Sequence, residues 1–183
     1  WTAQVSSEVI APPAIGGGMV YVRTNDGHIV GLDRADGSRK WVYDRSTVPL
    51  LSLRGNSAPV FVDGVVYSGE DNGKIIALRA SDGAPLWEQV LSPGEGRTEI
   101  DRLQDVDGQL AVADGIVYAA GYKGQTAALS AQTGRPVWTH EVGTYGGVAL
   151  SASQIYLTDS DANVYALDLR TGSSQWKQDA LKY

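Results

Sequence analysis

The sequence contains no cysteine, and this single absence removes three classes of chemistry. Disulfide bridges, thiolate metal sites and cysteine nucleophiles all need a sulfur that the chain does not have. The absence fits an oxidising or a reducing compartment equally well, because an oxidising compartment does not require disulfides.

Long apolar runs and an excess of positive charge are also missing. No apolar run approaches the ~20 residues of a bilayer-spanning helix, and neither a signal peptide nor an initiator Met precedes Trp1. We therefore expect a trimmed piece of a longer protein. The net charge of −6 argues against electrostatic binding to nucleic-acid phosphates.

Motifs of the common catalytic sites do not occur in the sequence. It has no H-E-x-x-H metal motif, no P-loop and no G-x-S-x-G nucleophile elbow. The two histidines, His28 and His140, lie far apart, and the run of glycines from Gly16 to Gly18 precedes a strand pattern rather than a helix. These absences favour a binding protein over an enzyme.

An internal repeat is the strongest feature that the chain does have. A Tyr is followed 11 residues later by Leu, 16 residues later by Gly and 20 residues later by Trp, and this register occurs four times without a gap. The Tyr and Trp positions are Tyr21 and Trp41, Tyr67 and Trp87, Tyr118 and Trp138, and Tyr156 and Trp176.

Each repeat predicts four antiparallel strands. The runs around each Tyr alternate and are rich in β-branched residues, and turn pairs such as Asp36-Gly37 separate one run from the next. Four strands per unit is the size of one β-propeller blade. The chain is therefore predicted to be all-β, with repeat units at about 12–44, 57–90, 109–141 and 147–178.

Larger propellers are more common than four-bladed rings, so we expect this chain to form about half of a ring. The large Trp and the small Gly or Ala on the preceding strand are predicted to pack between neighbouring blades. Trp1 fits as the Trp of a preceding blade. A half-ring leaves two blade faces uncovered, and a free half-ring is therefore expected to dimerise or to be poorly soluble.

Two connections between blades are longer than the others. Trp1 to Tyr21 spans 20 residues and Trp138 to Tyr156 spans 18, but Trp41 to Tyr67 spans 26 and Trp87 to Tyr118 spans 31. The extra residues form two insertions, 45–56 and 91–108, on the same face of the propeller. Insertions on one face of a repeat protein often form its binding face.

The first insertion carries apolar residues where a loop is expected. Leu51, Leu53 and Arg54 combine exposed aliphatic surface with a guanidinium group, a composition typical of protein-binding hot spots. The alternative is that the leucines fold back onto the edge of a blade.

The second insertion places Asp105 and Asp107 on either side of Val106, so both carboxylates would share one side of an extended segment. They can accept bonds from a cationic partner or from Arg54 of the neighbouring insertion. A solvated turn is the alternative, and the spacing does not match an EF-hand calcium loop.

The segment from Ala166 to Trp176 reads Ala-Leu-Asp-x-x-Thr-Gly-x-x-x-Trp, which resembles the tryptophan-docking motif of pyrroloquinoline-quinone-type propellers. The segments 51–59 and 98–107 resemble, more specifically, the BamB lipoprotein family of the β-barrel assembly machinery in Gram-negative outer membranes. The resemblance covers most of the chain, and these two segments are its specific part.

The resemblance implies an eight-bladed ring, no cofactor, no metal and no catalysis. It also implies binding to a POTRA domain of BamA and assistance to unfolded outer-membrane proteins through contact with their strands. The family residues that support BamA binding match Leu51, Leu53, Arg54, Asp105 and Asp107 here. A lipid-anchor cysteine, which would hold the protein at the periplasmic face of the outer membrane, is not in this chain.

Two other functions remain open from the sequence. The chain could be part of a quinone-dependent dehydrogenase, which would need an axial quinone pocket, a calcium site and usually a vicinal cysteine pair. It could also be the sensor ectodomain of a membrane receptor.

Overall fold

The structure is a computed structural model of the 183-residue chain. It describes residues 1–44, 57–70, 73–91, 106, 108–121, 124–144 and 146–179. These residues form sixteen strands in four antiparallel sheets, each sheet with its four strands in chain order.

Each sheet is a meander of consecutive strands. The first contains β1 (Ala14–Gly16), β2 (Met19–Arg23), β3 (Ile29–Asp33) and β4 (Arg39–Tyr43). The second contains β5 (Val60–Val62), β6 (Val65–Gly69), β7 (Lys74–Arg79) and β8 (Pro85–Val90). The third contains β9 (Ala111–Ala113), β10 (Ile116–Ala120), β11 (Thr126–Ser130) and β12 (Pro136–His140). The fourth contains β13 (Ala149–Leu150), β14 (Gln154–Thr158), β15 (Val164–Asp168) and β16 (Ser174–Gln178).

The strand register explains why a small residue lies between each repeated Tyr and Trp. In the first sheet Tyr21 pairs with Gly31, and Gly31 pairs with Trp41. The two rings meet across Gly31 with their centroids 5.9 Å apart, and a Cβ on Gly31 would lie 2.4 Å from the Trp41 ring. The other three sheets repeat this row with Ala in the middle position.

Each repeated Trp also connects its sheet to the next one. The Trp41 indole N–H donates to the carbonyl oxygen of Ala80 at 3.0 Å, and its ring lies against Gly83. Trp87 donates to Ala131 at 2.8 Å. Trp138 donates to Leu169 at 3.1 Å. The prediction that Trp packs between blades is confirmed.

The hydrophobic core is divided among the blade interfaces. Three clusters of buried residues lie between the first and second sheets, the second and third, and the third and fourth. The inner strands β1, β5 and β9 approach one another, so the sheets are arranged around a common axis. The all-β propeller architecture with four blades is confirmed.

The two ends of the described structure differ. Trp1 donates from its indole nitrogen to the Arg34 carbonyl oxygen at 3.0 Å, and Ala3 and Val5 pack on the first blade. Trp1 thus occupies the position that a Trp of a preceding blade would take. Trp176 is 44% exposed, because no described residue covers the far side of the fourth blade. No helix among the described residues is long and apolar enough to cross a membrane.

Candidate protein-binding face

One face of the propeller carries the connections between blades together with the turns that join the second and third strands of each blade. We call it the connection face and define it by the turns at 24–28, 70–74, 121–125 and 159–163 and the connections at 44–59, 91–110 and 141–148. Contacts join the two kinds of segment: the Leu91 N–H donates to the Gly73 carbonyl at 2.8 Å, and Thr144 N–H donates to Gly121 at 3.2 Å.

The residues predicted to bind a partner all belong to the two insertions of this face. Leu51, Leu53 and Arg54 in the first insertion, and Asp105 and Asp107 in the second, lie outside the described residues. The structure does describe the ends of both insertions, and these ends show how the insertions are attached to the blades.

The first insertion begins beside a cluster of polar side chains. His28 Nδ1 lies 3.0 Å from Asp26 Oδ1 and 3.3 Å from Ser6 Oγ, and His28 Nε2 lies 3.4 Å from Asp44 Oδ1. One imidazole therefore connects the N-terminal segment, the turn after β2 and the last described residue before the insertion. His28 is a structural connector here rather than a lone surface residue.

The charge of Asp26 is stabilised by this cluster. Partial burial alone would raise the pKa of Asp26, but hydrogen bonds from His28, Thr24 and Ser6 outweigh the effect of burial and lower the pKa to about 2. The carboxylate is therefore ionised at neutral pH and remains an acceptor for His28.

The first insertion ends at two buried residues. Ser57 is fully buried and Ala58 is 7% exposed, and both precede β5. The Ser57 hydroxyl oxygen has no hydrogen-bond partner among the residues that the structure describes. The chain thus enters the second blade through a buried segment, which fixes the point where the insertion ends.

The second insertion is attached by apolar contacts at both ends. Leu91 at its start and Val106 near its end belong to one hydrophobic cluster between the second and third blades, and Val106 is fully buried. The Val106 N–H also donates to the Glu70 carbonyl oxygen at 3.2 Å. Position 106 is therefore held by packing and by a backbone hydrogen bond.

Gly69, the last residue of β6, makes this attachment possible. A Cβ on Gly69 would lie 2.4 Å from the Val106 carbonyl oxygen and 2.8 Å from Val106 Cγ1. Any side chain at position 69 would collide with the backbone of the insertion. The backbone of Gly69 is not in the left-handed region, so the requirement for glycine here is one of space.

A second carboxylate organises the turn of the fourth blade on the same face. Asp159 accepts backbone N–H bonds from Asp161 and Asn163, a side-chain bond from Asn163 at 2.6 Å and one from the Tyr165 hydroxyl at 3.0 Å. Burial opposes ionisation, but these bonds outweigh it and lower the pKa of Asp159 to about 2.

The described part of the chain offers little for catalysis or metal binding. It contains no group of three or more His, Asp or Glu side chains that could hold a metal ion. A groove of about 270 Å³ lies along β13 and β14 of the fourth blade, and among the described residues that line it Tyr156 alone is ionisable. Buried charges occur under the connection face at Arg23 and Glu70, and both make interactions within the chain.

The sequence alone did not identify Val106 and Gly69 as the contact that attaches the second insertion to the propeller. A signal was present: the residue two places after the repeated Tyr is Arg23, Ala120 or Thr158 in the other units, but Gly69 in the unit that meets the longest insertion. Its meaning depends on which segment passes over β6, and the repeat pattern does not contain that information.

Comparison with protein families places the chain among known propellers. Residues 1–178 match the family model described as outer membrane protein assembly factor BamB. The BamB protein of Yersinia pestis is 37% identical over 181 residues, which are 99% of this chain and 46% of that protein. The chain spans about half the length of the curated relatives it matches.

Solved structures agree with the sequence comparison. The crystal structure of BamB from Moraxella catarrhalis superposes with a TM-score of 0.90 at 36% identity, over 99% of this chain and 55% of that chain. A quinohemoprotein alcohol dehydrogenase from Comamonas testosteroni has a TM-score of 0.75 at 20% identity, over 94% of this chain and 35% of that chain. The second likeness shows the shared fold alone.

Proposed function

Because the chain belongs to the BamB family of outer membrane protein assembly factors, we propose that it is a non-enzymatic scaffold of the β-barrel assembly machinery. Its partner is the POTRA region of BamA, and its role is to aid delivery or insertion of outer-membrane proteins. The whole protein is an eight-bladed ring, of which this chain forms about half.

The observation that carries this proposal is the arrangement of the two insertions. Both leave from the connection face, one between the first and second blades and the other between the second and third. His28 contacts Asp44 at the start of the first insertion, and Val106 is buried near the end of the second. Two adjacent insertions with fixed attachment points suit a preorganised protein-binding surface.

The proposed contacts follow from the chemistry of the insertions. Leu51 and Leu53 fill an apolar pocket on the POTRA domain, and Arg54, Asp105 and Asp107 fix its orientation through charge-assisted hydrogen bonds. Truncating an anchor at such an interface typically costs about 2 kcal/mol or more of binding free energy. Arg54 has an alternative role within the propeller, in which it braces the two aspartates.

Unfolded strands of outer-membrane proteins are a second proposed partner. Among the described residues, the outer strands β4, β8, β12 and β16 each have one edge without a neighbouring strand. Val42, Leu86 and Val137 are exposed on three of them. An extended client segment can add to such an edge through main-chain hydrogen bonds. Pro85 and Pro136 at the start of β8 and β12 each remove one donor, which favours the edges of β4 and β16.

The assembly function is preferred over the dehydrogenase and sensor alternatives. Relatives that are 34–43% identical carry the assembly-factor name, whereas the likeness to the dehydrogenase is confined to the fold. We place the protein at the periplasmic face of the outer membrane, with a lipid anchor in the full-length form.

The test is a calorimetric titration of the full-length protein with the soluble POTRA domains of BamA. Wild type is compared with Arg54→Ala and with the double variant Asp105→Ala, Asp107→Ala, and circular dichroism verifies that each is folded. Binding by wild type that is lost in the folded variants supports the proposal. Absence of binding by wild type rejects BamA as the partner, and full binding by the variants rejects the proposed site.

A further inference from the structure

We propose that Val106 and Gly69 are positioning residues for partner binding, because together they hold the second insertion on the propeller next to the two carboxylates. The inference rests on the proposed function, since it concerns how Asp105 and Asp107 are presented to BamA. It assigns a role to two residues that need not touch the partner.

Val106 is buried between two blades. The second insertion is the longest and most polar connection in the chain, yet Val106 within it is fully buried. Its side chain packs in the cluster that contains Tyr67 and Ile75 of the second blade and Leu129 of the third. Burial of an apolar residue that lies between two acidic ones in the sequence fixes the backbone position from which both acidic residues extend.

A backbone contact adds to the burial. The Val106 N–H donates to the Glu70 carbonyl at 3.2 Å, and the next connection has the equivalent bond, from Thr144 N–H to Gly121 at 3.2 Å. The second insertion is also held at its start, where the Leu91 N–H donates to the Gly73 carbonyl at 2.8 Å. The bond from Val106 fixes the distance of position 106 from the end of β6.

Gly69 provides the space for both contacts. The nearest atom to a Cβ at position 69 would be the Val106 carbonyl oxygen, at 2.4 Å. Because that atom belongs to the backbone, it cannot rotate away as the end of a flexible side chain could. A methyl group at position 69 must therefore displace the insertion or the end of β6.

The consequence for binding is preorganisation. A partner that needs both carboxylates loses less conformational entropy when the residue between them is already fixed. Releasing Val106 keeps both charges but gives them more positions to occupy before the partner binds. The affinity is then reduced even though every proposed contact residue is present.

The experiment uses the full-length protein with Gly69→Ala, Val106→Ala and a matched control, Gly146→Ala. Gly146 also lies on the connection face, its backbone is not left-handed, and the one described atom near a Cβ there would be the Thr144 hydroxyl oxygen, at 4.0 Å. Two quantities are measured for each variant: affinity for the POTRA domains of BamA, and hydrogen–deuterium exchange of the peptide covering 91–108.

Both Gly69→Ala and Val106→Ala are expected to raise exchange in 91–108 and to weaken BamA binding by about tenfold. Gly146→Ala should change neither. Val106→Ala removes apolar contacts without adding a collision, so it tests the inference if Gly69→Ala does not fold. Wild-type exchange in 91–108, or wild-type affinity together with raised exchange, in a folded variant would overturn the inference.

The two proposals fail in different ways. Loss of binding in the Asp105→Ala, Asp107→Ala variant together with full binding in Gly69→Ala rejects the positioning role and keeps the binding site. If wild type does not bind BamA, the proposed function fails, and the exchange measurement decides the attachment role alone: unchanged exchange in Gly69→Ala and Val106→Ala rejects it, and raised exchange supports it.

Discussion

The indole nitrogen of Trp41 in the first blade lies 3.0 Å from the carbonyl oxygen of Ala80 in the second, and its N–H donates a hydrogen bond to that oxygen. The acceptor is followed three residues later by Gly83, against which the same indole packs. This pair of contacts repeats at each described blade interface and couples the blades.

Trp41→Phe should lower the free energy of unfolding by about 2 kcal/mol, because it removes apolar volume and leaves the Ala80 carbonyl without this donor. Trp87→Phe should cost less, since the Tyr67 hydroxyl also donates to the acceptor of Trp87, the Ala131 carbonyl, at 3.3 Å. Urea denaturation of the chain measures both changes. Equal losses of unfolding free energy in the two variants would contradict the prediction that the Tyr67 hydroxyl compensates for the missing Trp87 donor.

Gly83→Ala should be more destabilising than Gly64→Ala, although both residues have a positive φ, of 73° and 79°. A left-handed conformation costs a residue with a side chain about 1 kcal/mol, and both variants incur this cost. A Cβ on Gly83 would also lie 2.5 Å from the Trp41 ring, whereas no described atom lies within 4 Å of one on Gly64. We expect Gly83→Ala to lower the free energy of unfolding by about 3 kcal/mol in total. A thermal melt in which Gly64→Ala is destabilised as much as Gly83→Ala, or more, would refute the collision.

Ser57→Ala should leave the stability unchanged or raise it by about 1 kcal/mol, because the buried hydroxyl has no described partner and its desolvation is uncompensated. Ser68→Ala is the matched control. Ser68 is equally buried, but its hydroxyl donates to the Gly69 carbonyl at 3.2 Å. Ser68→Ala should lower the free energy of unfolding by about 1 kcal/mol. A similar loss in Ser57→Ala, measured by chemical denaturation, would show that Ser57 does form a hydrogen bond.

Stability should depend on pH through Asp159. Its pKa is lowered from 3.8 to about 2 in the folded chain, so the stabilisation from its four hydrogen bonds is complete above about pH 4 and is lost as the pH falls towards 2. The difference in unfolding free energy between wild type and Asp159→Asn should therefore be largest at neutral pH. It should shrink towards zero as the pH falls from about 4 to about 2.

Asp161→Asn is the control for the pH measurement, because it removes a neighbouring carboxylate and keeps all four bonds to Asp159. Its difference from wild type should not follow the same profile. A difference between wild type and Asp159→Asn that stays constant from pH 7 to pH 2 would contradict the assignment.

The repeat was sufficient to predict the fold because each of its residues has one local reason to be there. A small residue at Gly31 allows Tyr21 and Trp41 to meet, and a glycine at Gly83 accepts the Trp41 ring. Such requirements recur at a fixed spacing in every blade, so they leave a periodic signal in the sequence.

The attachment of the insertions could not be predicted in the same way. The buried position of Val106 is taken by Thr144 in the next connection, so it recurs without a shared residue type between connections of different length. The polar cluster around His28 joins residues as distant as Ser6 and Asp44, which no local pattern brings together. Contacts that occur once and span many residues are specified only by the assembled blades.

The central claim is that the partner binds the connection face, and hydrogen–deuterium exchange of the full-length protein with and without the BamA POTRA domains tests it most directly. Protection is expected in the peptides covering 45–56 and 91–108, and unchanged exchange is expected in the turns at 34–38, 80–84 and 131–135 on the opposite face. Protection of those opposite turns, with 45–56 and 91–108 unchanged, would contradict the claim.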